Sequence, residues 1–280
     1  MPLVTTRDMM QKALREGYAV GAFNIENMEI AQAVVLAAEK ANAPVIIQTT
    51  TGTLQYAPPQ VFHGMVAALA QAARVPVALH LDHGASLDLL VRCKQAGYTS
   101  LMIDGSKLPF EQNVALSAQA VQLAGDVPVE AELGQVGGRE DGHEASLMMT
   151  DPQMAARFVR ETGIFSLAVA IGTAHGVYKG VPHLDMPRLA AIHQAAPIPL
   201  VLHGTSGVPE DQVRECVKLG ICKVNYATDL RQAYTAATRA WLQDNPDAFD
   251  PKLYGEKARL AVEQVVMQRM ELVGSCGKAQ

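Results

Sequence analysis

Eight short apolar runs, each separated from the next by a longer amphipathic stretch, recur along the chain and constrain its fold more than any other feature. The runs fall at 19–24, 44–49, 76–81, 99–104, 127–132, 165–171, 198–203 and 221–225. Their length fits strands buried on both faces, as in a parallel sheet. The intervening stretches, such as 28–41, 87–96 and 151–162, carry helical patterning, and Asp151 followed by Pro152 supplies an N-cap with proline in the first turn. Eight βα units in 280 residues predict an α/β chain folded as one (β/α)8 TIM barrel, a single domain over 1–280. An open doubly wound sheet is the alternative. It calls for a glycine-rich phosphate turn after the first strand, and Gly21 precedes Phe23 and Asn24 without one. Beyond Arg231 the chain reads as extra C-terminal helices, interrupted by a polar, proline-containing stretch at 245–254.

Composition narrows the class of partner. The net charge of −5 argues against a protein that neutralises many phosphates of a nucleic acid. The longest apolar stretches, such as 31–38, fall far short of the roughly 20 residues that span a bilayer, so no membrane partner is expected. Cys93, Cys216, Cys222 and Cys276 form no C-x-x-C pair, and free thiols fit a cytoplasmic protein.

The residues that end the runs carry the chemistry: Asn24, Thr50, Asp82 with His83, Asp104, Glu132, His175, His203 and Asn225. In a barrel they would share the carboxyl-end face, where catalysis occurs. Taken singly, His83, His175 and His203 read as ordinary core or loop histidines. Together they read as a metal site, because three imidazoles and an open position make a catalytic zinc centre. His80 lies inside a run and reads as structural. Gly176 and Gly204 allow close backbone approach, and with Lys179 and Ser206 they resemble two halves of an anion nest. Thr228, at the start of a helical pattern, adds donors. The acidic, glycine-rich stretch 130–142 is either a solvated surface loop or a mobile one bringing Glu140 or Asp141 to the site for proton transfer.

The segments LDHGASLD (81–88), VEAELGQVGG (129–138), AIGTAHGVYKG (170–180), LVLHGTSG (200–207) and CKVNYATDL (222–230) resemble the class II, zinc-dependent ketose-bisphosphate aldolases, and in particular their tagatose/fructose-bisphosphate branch. The likeness runs in order through essentially the whole chain. It implies Zn2+ on His83, His175 and His203, with Asp104 and Glu132 as supporting or alternative-metal carboxylates. It implies Asp82 as the acid/base at the C4 hydroxyl and Glu140 as the group exchanging the C3 proton. Gly176, Lys179, Gly204, Ser206 and Thr228 would hold the 1-phosphate, beside a monovalent cation (Na+ or K+). Asn225 would contact the dihydroxyacetone part, with Asn24 at the matching first strand. The implied partner is a small phosphorylated ketose, and the implied assembly a homodimer or homotetramer.

Three positions depart from the family pattern. Lys107 ends a DGSK stretch where the family usually has histidine. Lys252 ends DPK where the family's DPR arginine reaches a neighbouring subunit's site to hold the 6-phosphate. Arg139 stands where an acidic or uncharged residue is common. Arginine grips phosphate by a bidentate fork and lysine acts as a point charge. Lys107, Lys252, Arg139 and Thr50 are therefore the expected determinants of the distal group. The default is tagatose or fructose 1,6-bisphosphate. The alternatives are 6-deoxy-6-sulfofructose 1-phosphate and an inositol-pathway deoxy-keto-acid phosphate. From other classes come a metal-dependent hydrolase and a non-catalytic sugar-phosphate binding module.

Overall fold

All eight apolar runs become strands of one closed parallel barrel. The computed structural model describes residues 2–140, 143–178 and 180–279, with the backbone alone at 139, 140 and 143–145. In chain order the elements are α1 (Thr6–Glu16), β1 (Val20–Asn24), α2 (Met28–Ala41), β2 (Val45–Thr50), α3 (Thr51–Tyr56), α4 (Pro59–Ala72), β3 (Val77–Gly84) and α5 (Leu87–Ala96). They continue as β4 (Ser100–Ile103), α6 (Phe110–Ala124), β5 (Val129–Leu133), β6 (Gly137–Glu140), β7 (His143–Ala145), α7 (Pro152–Thr162), β8 (Ser166–Val169) and β9 (Ala174–His175). The last are α8 (Met186–Ala195), β10 (Leu200–Leu202), α9 (Glu210–Lys218), β11 (Ile221–Tyr226), α10 (Thr228–Asp244) and α11 (Pro251–Leu272). The barrel closes in the order β1-β2-β3-β4-β5-β8-β10-β11, which is the (β/α)8 architecture read from the alternation.

Burial on both faces explains the apolar runs. Outward-facing residues such as Ile47, Leu79, Leu101, Leu167 and Val224 pack under the helices in the main core. Inward-facing Val20, Ala22, Ile46, Ala78, Met102, Ala168 and Val201 form a second cluster with Met9, Met10 and Ala13 of α1. Helix α1 thus closes the amino-terminal end of the barrel. The segment leading into it is pinned there by Val4, whose N–H donates to the Val77 carbonyl at 3.0 Å. Local signals set the helix ends. Asn27 and Ser86 accept from backbone N–H groups of α2 and α5, and Asp151 caps α7 ahead of Pro152.

Three readings change. The interruption expected at 245–254 shrinks to 245–250, because Asp250 accepts from the Lys252 N–H and starts α11 there. Lys252 therefore stands in the first turn of a helix. The stretch 130–142 is not one loop. Its beginning is barrel strand β5, and β6 pairs antiparallel with β7 and parallel with β9. His175, finally, does not end a barrel strand. Strand β8 stops at Val169, the chain turns through Gly172 at φ +119°, and His175 sits in the small three-stranded sheet.

Candidate active site

The three histidines meet above the carboxyl ends of the strands, with one ligating atom from each lying within 4.8 Å of the others. His83, the residue before the last of β3, has φ +47°, a backbone conformation that a non-glycine residue adopts at a cost in strain. His83 Nδ1 lies 2.8 Å from Asp104 Oδ2, and His203 Nε2 lies 2.8 Å from Glu130 Oε1. Each ionised carboxylate accepts a hydrogen bond from the N–H it faces, which assigns both tautomers. The two nitrogens left over, His83 Nε2 and His203 Nδ1, face one another 2.9 Å apart with lone pairs outward. Two such acceptors repel unless they share a cation, so the donor set fits a bound metal. Burial lowers the pKa of both His175 and His203, which keeps their imidazoles neutral and able to ligate. Glu132 joins His83 and Asp104 in a second candidate metal group.

The support beneath the histidines was not expected from the sequence. Glu130 lies inside the barrel, and its second oxygen is 3.0 Å from the Nζ of fully buried Lys223. Burial alone would raise the Glu130 pKa, but Lys223 and His203 hold it well below the usual range. His80, on the same inward face of β3 as Asp82, places Nδ1 2.8 Å from Ser100 Oγ, which in turn accepts from Thr6. Burial lowers the His80 pKa to about 3, so His80 is neutral and structural, as expected.

Asp82 is buried and accepts three amide donors: Asn24 at 2.8 Å, Gln48 at 3.2 Å and Asn225 at 3.2 Å. Burial would raise its pKa, but the charges around it, the Lys223 ammonium among them, bring it down to about 2. The carboxylate is therefore ionised at neutral pH and oriented from three strands. Gln48 also donates to Asn24 Oδ1 at 2.8 Å, so it orders the whole group, and it too was missed.

Two cavities meet at His175. The smaller, of about 60 Å³, is lined by Asn24, Asp82, Gly176, Gly204, Ser206, Asn225 and Thr228, which gathers most of the expected phosphate residues. Gly204 is required there: at φ +64° an added Cβ would lie 2.7 Å from the Ala174 backbone. The larger, of about 360 Å³, is lined by His83, Asp104, Glu132 and Lys107, and by Thr51 and Gln55, which the sequence reading did not single out. Thr50 lines neither; its hydroxyl accepts from the Thr53 N–H and caps α3. Lys252 lines neither as well, being exposed and paired with Asp250 at 2.9 Å. Lys179 and Asp141 lie outside the described residues, as do the side chains of Arg139 and Glu140.

Residues 4–278 match the family described as Fructose-bisphosphate aldolase class-II. A fructose-bisphosphate aldolase of Thermus caldophilus is 45% identical, the alignment covering 99% of this chain and all of that one. Among solved structures, the YdjI aldolase of Escherichia coli K12 is 37% identical with a TM-score of 0.89, covering 99% of this chain and all of that one. A putative fructose-1,6-bisphosphate aldolase of Coccidioides immitis is 29% identical with a TM-score of 0.88, covering 97% and 96%.

Proposed function

The chain belongs to the class II fructose-bisphosphate aldolase family, and from that membership we propose that it reversibly cleaves a ketose 1,6-bisphosphate to dihydroxyacetone phosphate and a three-carbon aldehyde. The observation that carries the reading is the histidine cluster beside an amide-caged aspartate where a small polar cavity opens into a larger one.

Class II aldolases generally depend on zinc, and His83, His175 and His203 are its proposed ligands. When bound, the metal supplies Lewis-acid stabilisation for negative charge building on the dihydroxyacetone half. The rest falls to the chain. Asp82 accepts the C4 hydroxyl proton as the C3–C4 bond breaks, and the C4 oxygen becomes the aldehyde carbonyl. Asn24, Gln48 and Asn225 aim that carboxylate, and Asn225 also contacts the dihydroxyacetone part. Glu140 returns a proton to C3, which held the bonding pair. Gly176, Gly204, Ser206 and Thr228, with Lys179, hold the 1-phosphate beside a monovalent cation, and the N-terminus of α10 favours that charge.

Lys107, Arg139 and Lys252 are the proposed distal-anion residues. Among the described residues lining the larger cavity Lys107 is the one lysine or arginine, which supports a second reading with a sulfonate or carboxylate in place of the 6-phosphate. Comparing kcat/KM for tagatose and fructose 1,6-bisphosphates with that for 6-deoxy-6-sulfofructose 1-phosphate decides between them. A large preference for a bisphosphate removes the second reading, and no cleavage of any of them overturns the aldolase proposal.

We also propose a homodimer or homotetramer, with Lys252 serving a neighbouring copy's site. The exposed Phe249 and Leu253 flanking it support a surface covered by another chain. A monomer in sedimentation equilibrium at working concentration would sink this.

A further inference from the structure

We propose that Arg269, on the last helix, is a positioning residue for the small cavity: it draws the Asp229 carboxylate away from the N-terminus of α10 and leaves that helix end open to an anion. The inference rests on reading the cavity as the 1-phosphate site. Thr228 and Asp229 are the first two residues of α10. Ala227 precedes them and gives the helix no side-chain cap, although Ser, Thr, Asp and Asn are the residues that stabilise such an end. Ala227 and Thr228 both line the cavity. An acid in the first turn is attracted to the partial positive charge of the helix end, so Asp229 competes there with an incoming phosphate.

Arg269 removes the competitor. Its Nε donates to Asp229 Oδ2 at 2.8 Å, and the two side chains are only 24% and 13% exposed. Its guanidinium carbon lies 5.6 Å from the centre of the ring of Tyr226, the residue that ends β11. Tyr226 in turn stacks on Phe23 of β1, the ring centres 5.7 Å apart. One side chain of α11 thus grips the junction of β11 and α10 on both sides of Ala227 and Thr228. The effect reaches the cavity through Ser206. Its Oγ accepts from the Asp229 N–H at 3.4 Å, which leaves the hydroxyl proton to donate into the cavity that Ser206 lines. The pair also cancels a charge. An unpaired carboxylate in this turn would oppose a phosphate dianion, and the guanidinium neutralises it.

The test uses inorganic phosphate as a competitive inhibitor of the zinc-loaded enzyme. Arg269→Met is expected to raise the phosphate Ki and the substrate KM about fivefold, within the range of couplings between neighbouring charged residues, with kcat and zinc content changed less. Arg269→Lys keeps the charge, loses the fork and restores part of the affinity. Asp229→Asn removes the competing charge and lowers the phosphate Ki. The double variant Arg269→Met, Asp229→Asn binds phosphate more tightly than Arg269→Met alone. A merely structural ion pair gives another pattern: both single variants weaken phosphate binding, and the double variant is no better than either. That pattern, or an unchanged Ki in Arg269→Met, overturns the proposal. Should Arg269→Met not fold, Asp229→Asn decides alone: a lowered Ki supports the proposal, and an unchanged or raised one overturns it. Ser206→Ala tests the cavity itself. If it raises Ki while Arg269→Met does not, the role of Arg269 is overturned and the phosphate site stands. If neither variant changes Ki, the phosphate site and the proposal fall together.

Discussion

Single side chains divide sharply into those the sequence announced and those it concealed. His83, His203 and Asp82 could be read because each is a polar residue closing an apolar run, where only the barrel mouth accommodates it. Gln48, Glu130 and Lys223 could not, because each sits within such a run, where a polar residue reads as an exception to the pattern. Their meaning lies in partners from other strands: Gln48 with Asp82, and Lys223 with Glu130 beneath His203. A charged residue inside a fully buried strand was the available signal, since lysine and glutamate are almost never fully buried unless paired. At this scale the clearest expectation concerns Asp82. Asp82→Ala should lower kcat by about 10²–10⁴-fold, the usual contribution of a positioned acid/base, with zinc content by elemental analysis unchanged. Undiminished turnover would remove Asp82 from the mechanism.

Among elements, the barrel strands were legible and the small sheet was not. Apolar runs mark strands that helices cover on one side and the barrel interior on the other. Strands β6, β7 and β9 have no such run; they are two to four residues long, β6 opens on Gly137 and Gly138, and the pairing of β6 with β9 joins residues 137–138 to 174–175. The sequence therefore showed a loop where the fold builds a platform for His175. Gly138 is the tight point of that platform. It adopts φ +90°, and an added Cβ would lie 2.2 Å from the His175 carbonyl oxygen. Gly138→Ala is expected to shift β9 and weaken zinc binding by about 10-fold or more, as changes around metal ligands do. The melting temperature should move little, because the sheet lies outside the barrel. Chelator competition and thermal melting measure the two; unchanged zinc affinity would show that β6 does not position His175.

For the molecule as a whole, the separation of scaffold from site predicts the response to metal loss. The barrel core is built from apolar residues that do not ligate, so chelation should abolish aldol cleavage while leaving the far-ultraviolet circular dichroism intact, and zinc should restore activity. Full activity in demonstrably metal-free protein would overturn the zinc assignment. The net charge of −5 likewise describes the whole surface and conceals where the cations stand: Lys107 and Arg231 line the cavities, and Lys223 lies buried below them. The barrel interior is correspondingly of two kinds, an apolar set closed off by α1 and a charged set of Glu130, Lys223 and Asp82 under the histidines. These two kinds respond differently to heat. The cost of keeping ions from water falls as temperature rises, while hydrophobic stabilisation per unit area levels off. The catalytic layer is thus the part of this barrel whose relative cost diminishes on warming, so adaptation to a hotter habitat can proceed in the loops and outer helices and leave that layer as it is.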